Sequence, residues 1–192
     1  MTSAASGQKP LALEGIRVLD FTRVIAGPLC TMALGDLGAE VVKVESPAGG
    51  DDTRFYGAAK LGGETAFFMT YNRNKKSLVL DLASEEGREI ALSLAEKTDV
   101  LVENFSTGVM ERHGLGYDVV KARNPRIVYC SISAYGRTGP SAARPGYDPV
   151  VQAESGFMSI TCSPDREPLR TGIPMIDVTT GLAAGQAVLA AL

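Results

Sequence analysis

Ile16-Arg17-Val18-Leu19-Asp20-Phe21 is an apolar run of strand length, and Gly27-Pro28 follows it with an apolar set at Leu29, Met32, Ala33 and Leu37. Proline suits the first turn of a helix, where its missing N–H costs nothing. Apolar residues spaced three and four apart line one helical face. Gly38 stands where a helix ends in a left-handed residue, and Val41-Val42-Lys43-Val44 is a second strand. The order predicts a β-α-β unit, and so parallel strands joined by a right-handed crossover.

Working outward, the pattern repeats. Residues 46–64, rich in Gly, Asp and Pro, read as a loop, and Ser77-Leu78-Val79-Leu80-Asp81-Leu82 as a strand. Ser84 is a candidate N-cap, with Glu85 and Glu86 suited to a first helical turn and Ile90, Leu92, Leu94 and Ala95 forming the helix. Residues 99–102 and 126–131 are further strands, with short helical pieces across 109–124. This alternation predicts an α/β domain, a Rossmann-like parallel sheet with flanking helices. Ligands of such sheets sit outside the carboxyl ends of the strands, here Phe21–Ile25, Glu45, Glu103–Asn104 and Ser133–Tyr135. Residues 1–12 read as a disordered tail and 13–192 as the domain. A last helical pattern opens at Asp177-Val178-Thr179-Thr180-Gly181 and runs to Leu192 without a cap or polar tail, so the domain reads as incomplete, its C-terminal half missing. Such a piece is expected to be unstable or to associate, because its last helix and sheet edge lack covers.

Composition narrows the function. The chain has 192 residues, 45% apolar and 21% charged, with a net charge of −3. A disordered tail protein is excluded, and no basic excess marks a nucleic-acid binder. Cys30, Cys130 and Cys162 are too scattered for a disulfide scaffold. A single histidine, His113, rules out a His-rich metal site. No export signal or membrane-length apolar run occurs, so the reading is cytoplasmic, with no membrane and no nucleic-acid partner.

The chemistry is less explicit. Glu45 stands where an acidic residue would hold a ribose, but the first turn, Thr22-Arg23-Val24-Ile25-Ala26-Gly27-Pro28, has one glycine where the dinucleotide fingerprint needs three. Asn72-Arg73-Asn74-Lys75-Lys76 is either a phosphate contact or a solvated turn. Asp51-Asp52 reads as a polar turn rather than metal ligands, and His113 as a helix-end residue rather than a base. Asp177 is either the N-cap of the last helix or a carboxylate nucleophile. Spacing leaves both open.

Nine stretches in order resemble the class III CoA-transferases, the carnitine-CoA-transferase and bile-acid-inducible type. They are residues 13–22, 26–28, 37–45, 50–54, 72–77, 102–105, 136–140, 144–148 and 173–177. The resemblance implies the N-terminal part of that family's Rossmann-like large domain, and an interlocked homodimer at full length. It implies an aspartyl-acyl anhydride and then an aspartyl-CoA thioester on Asp177, with acyl-CoA and a carboxylic acid as substrates and no permanently bound cofactor or metal. Coenzyme A contacts carry over onto Ile25, Ala26, Leu80, Asn104, Phe105 and Arg112, with Arg144 or Tyr147 close to another contacting segment. Ser46 and Ala83 replace an Arg and a Lys that some members have, which points to Arg54, Arg73 or Lys75 as substitute phosphate contacts. The family's racemases use a His where this chain has Tyr147, which disfavours a racemase. The motifs look closest to members moving CoA between dicarboxylic acids, such as succinyl-CoA-dependent transferases. The competing readings are a non-catalytic truncated remnant or CoA-binding fragment, and an NAD-dependent oxidoreductase domain.

Overall fold

The computed structural model describes residues 9–192. Five parallel strands form one sheet: β1 (Arg17–Asp20), β2 (Glu40–Glu45), β5 (Lys75–Val79), β6 (Val100–Glu103) and β7 (Val128–Ser131). Their spatial order is β5-β2-β1-β6-β7. The chain therefore builds outward from β1 in one direction, then returns to β1's other side with β6. That reversal leaves a crevice between the two central strands at their carboxyl ends, where ligands of open α/β sheets bind.

Strand pleating sends successive residues to opposite faces. Leu19 and Leu101 enter a core with Phe21, Leu92, Leu115 and Val120. Their neighbours Val18 and Val100 enter a second core with Val41, Cys30, Leu34 and Val188. The first face is covered by α3 (Glu85–Ala95) and α5 (Tyr117–Arg123), the second by α1 (Ala26–Asp36) and α8 (Met175–Ala191). Covering both faces is what an all-parallel sheet requires.

Local signals act as read. Gly38 ends α1 at φ +105°, and the Ser84 hydroxyl accepts from the Gly87 N–H to cap α3. Other boundaries differ. The third sheet strand is Lys75–Val79 rather than 77–82, because it pairs in register with Val41–Glu45. The 46–64 loop contains a 3-10 turn (Asp52–Phe55) and most of a short hairpin, β3 (Lys60–Leu61) with β4 (Glu64–Thr65). A helix, α2 (Ala66–Asn72), follows, N-capped by Thr65. The short helices α4 (Val109–Arg112), α6 (Asp148–Glu154) and α7 (Phe157–Ile160) complete the fold. Residues 1–8 of the expected tail lie outside the described residues. By Leu13 the chain is tied down, its N–H donating to the Leu37 carbonyl at 2.9 Å.

α8 crosses α1 at the mouth of the crevice. A Cβ on Gly181 would stand 2.6 Å from the Ala26 carbonyl oxygen, so glycine permits this close approach. It brings the first turn of α8, and Asp177 with it, beside the first turn of α1.

Candidate active site

The floor of the crevice is charged and buried. Asp20, at the end of β1, accepts from the Thr22 N–H at 2.8 Å and the Thr31 hydroxyl at 2.7 Å, and lies 3.1 Å from the Lys75 ammonium. Lys43 donates to the Thr22 carbonyl at 2.6 Å and pairs with Asp51 at 2.9 Å. Asp51 in turn accepts from Thr53 and, at 3.3 Å, from the Val24 N–H. Val24 holds φ +69°, a left-handed conformation that a β-branched residue adopts only under constraint. Thus Val24, not a glycine, makes the sharp turn after β1, and the ion pairs beneath hold it there.

Three sequence expectations are corrected by this network. Lys75 is neither a phosphate ligand nor part of a solvated turn; its side chain is 2% exposed and bonded to Asp20, Asn72 and the Pro28 carbonyl. Arg73 pairs with Asp36, and Arg54 forks onto Glu45 and reaches Glu64. Burial raises the Glu45 pKa, but bonds from Arg54, Ser77 and the Asp51 N–H outweigh it and hold the carboxyl at about 2. Glu45 is therefore spent on fixing the 51–54 turn and is not free to hold a ribose. Asp51 is likewise more than a turn former, since it bridges Lys43 to the cleft loop.

Above the floor lies a cleft of about 260 Å³. Asn104, at the end of β6, clasps Arg23: its side-chain oxygen accepts from the Arg23 N–H and its amide donates to the Arg23 carbonyl, both at 2.8 Å. The Arg23 guanidinium lies 5.0 Å from the centre of the Phe105 ring. Ser133, Tyr135, Arg137, Arg144, Tyr147 and Asp177 line the same cleft.

Asp177 is not the N-cap of α8. The helix starts two residues earlier at Met175, and Pro174 occupies the cap without a side-chain bond. Capping falls to buried Asp148 on α6, which accepts from the N–H groups of Ile176 at 2.7 Å and Asp177 at 3.2 Å. The Asp177 carboxyl accepts no hydrogen bond among the described residues and faces the cleft half-buried. Burial first, then the nearby Asp148 charge, raises its pKa to about 6. Tyr71 of α2 lies within its electrostatic reach: burial first, then the Asp177 charge, raises the phenol pKa.

The sequence-named residues therefore divide. Ile25, Ala26, Asn104, Phe105, Arg144, Tyr147 and Asp177 line one cleft. Leu80 does not; it is buried in the core with Phe21 and Leu101. Arg112 lies on α4, and His113 caps that helix, both outside the cleft lining. Missed by sequence reasoning were Arg23, Asp148, Tyr71 and Arg137. Arg137 is fixed by Glu103 at 2.6 Å and by the Phe105 carbonyl. Arg23 lies in the 21–25 strand end expected to meet ligands, and Asp148 carried a signal of its own, an acid directly before proline at a helix start, although its target lies 28 residues away. Among the described residues no group of three or more potential ligands could hold a metal ion, and no helix is long and apolar enough to cross a membrane.

Residues 13–192 match the family described as CoA-transferase family III. The chain is 48% identical over 190 residues to the succinyl-CoA:glutarate CoA-transferase of Mus musculus, covering 99% of this chain and 43% of that one. It is 45% identical over 172 residues to the acetyl-CoA:oxalate CoA-transferase of Acetobacter aceti, covering 90% and 44%. A solved structure, a CaiB/BaiF family protein from Brucella suis, superposes with a TM-score of 0.91 at 43% identity, covering 95% of this chain and 49% of that one. The chain thus spans about half the length of the relatives it matches.

Proposed function

The chain belongs to CoA-transferase family III, and on that premise we propose that it carries the nucleophile of an enzyme that moves CoA from an acyl-CoA to a carboxylic acid. The observation that carries this reading is Asp177: a half-buried carboxyl with no hydrogen-bond acceptor role among the described residues, standing in the crevice where ligands of such sheets bind. With its pKa at about 6, it is mostly ionised at neutral pH yet poorly solvated, which favours attack.

The Asp177 carboxylate adds to the thioester carbonyl, and the C–S bond breaks. The products are an aspartyl-acyl anhydride and CoA thiolate. The thiolate then attacks the Asp177 carbonyl carbon and expels the donor acid as a carboxylate, leaving an aspartyl-CoA thioester. The acceptor carboxylate attacks that thioester, giving a second anhydride and thiolate. Attack of the thiolate on the acceptor's carbonyl yields the new acyl-CoA and restores Asp177. No water or external proton is consumed, and each step exchanges one carboxylate or thiolate for another. The turn at Val24, Ile25 and Ala26, together with Asn104, Phe105, Arg144 and Tyr147, forms the wall against which CoA would lie; Leu80 and Arg112 would act at most from outside it. The interlocked homodimer and the absence of a resident cofactor are proposed on the family resemblance, and the cytoplasmic setting is carried over from the sequence reading.

The test is intact-mass analysis after mixing the protein with succinyl-CoA and trapping with hydroxylamine or borohydride. An adduct mapped to Asp177 and absent in Asp177→Ala is expected. Its absence across several acyl-CoAs in folded protein would leave Asp177 as a plain helix residue.

A further inference from the structure

The cleft beside Asp177 holds a cation that no carboxylate pairs with among the described residues. Of its three arginines, Arg137 is paired with Glu103 at 2.6 Å and Arg144 with Glu154. Arg23 makes no ion pair among the described residues, although it lines the same cleft as Asp177. Its backbone is held on both sides by Asn104, and its guanidinium lies over the Phe105 ring at 5.0 Å. A planar guanidinium held this way has little freedom left to lose, and its fork matches a carboxylate in two parallel hydrogen bonds.

We propose that Arg23 binds the remote carboxylate of a dicarboxylic acid whose other end reacts at Asp177. The proposal deepens the transferase reading and rests on it. Arg23 and Asp177 line the same cleft, and no ion pair joins them among the described residues. A substrate with two acid groups can use both: one carboxylate docks on the cation while the other reaches Asp177 in the same cleft. A monocarboxylic acid of the same length leaves the guanidinium unpaired, so discrimination comes from a polar group the wrong substrate cannot satisfy. The phosphates of CoA share the oxyanion chemistry, and the experiment separates the two sources.

Glutarate, pentanoate and CoA are each titrated into the wild-type chain, Arg23→Gln and Arg23→Lys by calorimetry. The wild-type chain is expected to bind glutarate more tightly than pentanoate by on the order of tenfold or more, as for a charge-assisted pair. Arg23→Gln is expected to abolish that preference while changing CoA affinity less than about twofold, as for a guanidinium that holds the acid rather than a phosphate. Arg23→Lys keeps the charge but not the fork, and is expected to keep only part of the preference; it also serves if Arg23→Gln fails to fold. Three outcomes overturn the proposal: equal affinity of the wild-type chain for the two acids, including no binding of either; a preference unchanged in Arg23→Gln; or a fall in CoA affinity equal to the fall for glutarate, which would make Arg23 a phosphate ligand. Adduct formation at Asp177 in the wild type is scored separately. Its failure with the glutarate preference intact would sink the transferase reading and leave the anion site.

Discussion

Asp177 illustrates how the fold changes the electrostatics of an ordinary residue. An aspartate in the first turn of a helix is usually stabilised by free N–H groups. Here those N–H groups are already taken by Asp148, whose own charge then opposes ionisation of Asp177. The folded state therefore favours the protonated carboxyl, raising the pKa from 3.8 to about 6. Below the unfolded value both states are protonated and no penalty exists. Above about 6 both are ionised and the folded state bears the full penalty. Asp177→Asn should consequently stabilise the protein by about 1–2 kcal/mol above that pH, less than the full shift implies because the cleft admits solvent. The gain should fade toward pH 4. Thermal unfolding of both proteins from pH 4 to 8 checks this; a pH-independent difference would show that the Asp177 charge is not strained.

Among the elements, the connections matter more than the strands. The Lys75 side chain links β5 to the end of β1 through Asp20, and Lys43 links β2 to the 51–54 turn. Lys75→Met would leave Asp20, 0% exposed, as a buried charge facing only Thr22, Thr31 and the more distant Lys43. Removing one member of such a pair costs about 3–5 kcal/mol, so chemical denaturation should show a large loss of stability, whereas Asp20→Asn with Lys75→Met together should recover part of it. The α1–α8 crossing makes a second prediction. Gly181→Val places side-chain atoms against the Ala26 carbonyl, 2.6 Å from where the Cβ would lie. The two helices must separate, costing about 1–3 kcal/mol as overpacking does, and any trapped adduct at Asp177 should fall with it because the helix carries the proposed nucleophile.

At the scale of the molecule, two layers of helices cover one sheet, yet apolar surface remains. Leu182, Leu189 and Leu192 on the outer side of α8 and at its end are each 42% or more exposed, as are Val79 at the end of edge strand β5 and Phe55 and Leu61 near the hairpin. Exposed apolar residues beside an open sheet edge favour association. Sedimentation velocity at tens of micromolar, a concentration range where partly exposed edges associate, should show species larger than 20.2 kDa. A clean monomer would show that this surface is tolerated in water.

Local chemistry was legible wherever one residue's neighbours in the chain decide its state. The strand runs at 16–21 and 41–44, the Gly38 stop and the Ser84 cap depend on propensity, pattern and turn chemistry within a few residues, and they stand where the pattern put them. The α2 helix was not legible, because Ala66–Asn72 is short and has no clear apolar period. Long-range pairing was legible only as a class: alternation implied a parallel sheet, but the β5-β2-β1-β6-β7 order, and so the crevice between β1 and β6, depends on which strand β6 joins. The roles of charged residues depended on folding most of all. Lys75 and Glu45 read as available for ligands, and burial with opposite charges from distant segments made them structural. Arg23 read only as part of the 21–25 strand end, and a fold that gives Arg137 and Arg144 carboxylate partners leaves Arg23 without one among the described residues, over Phe105. Charge interactions act across space rather than along the chain, and their strength follows from burial, so only the tertiary structure could assign them.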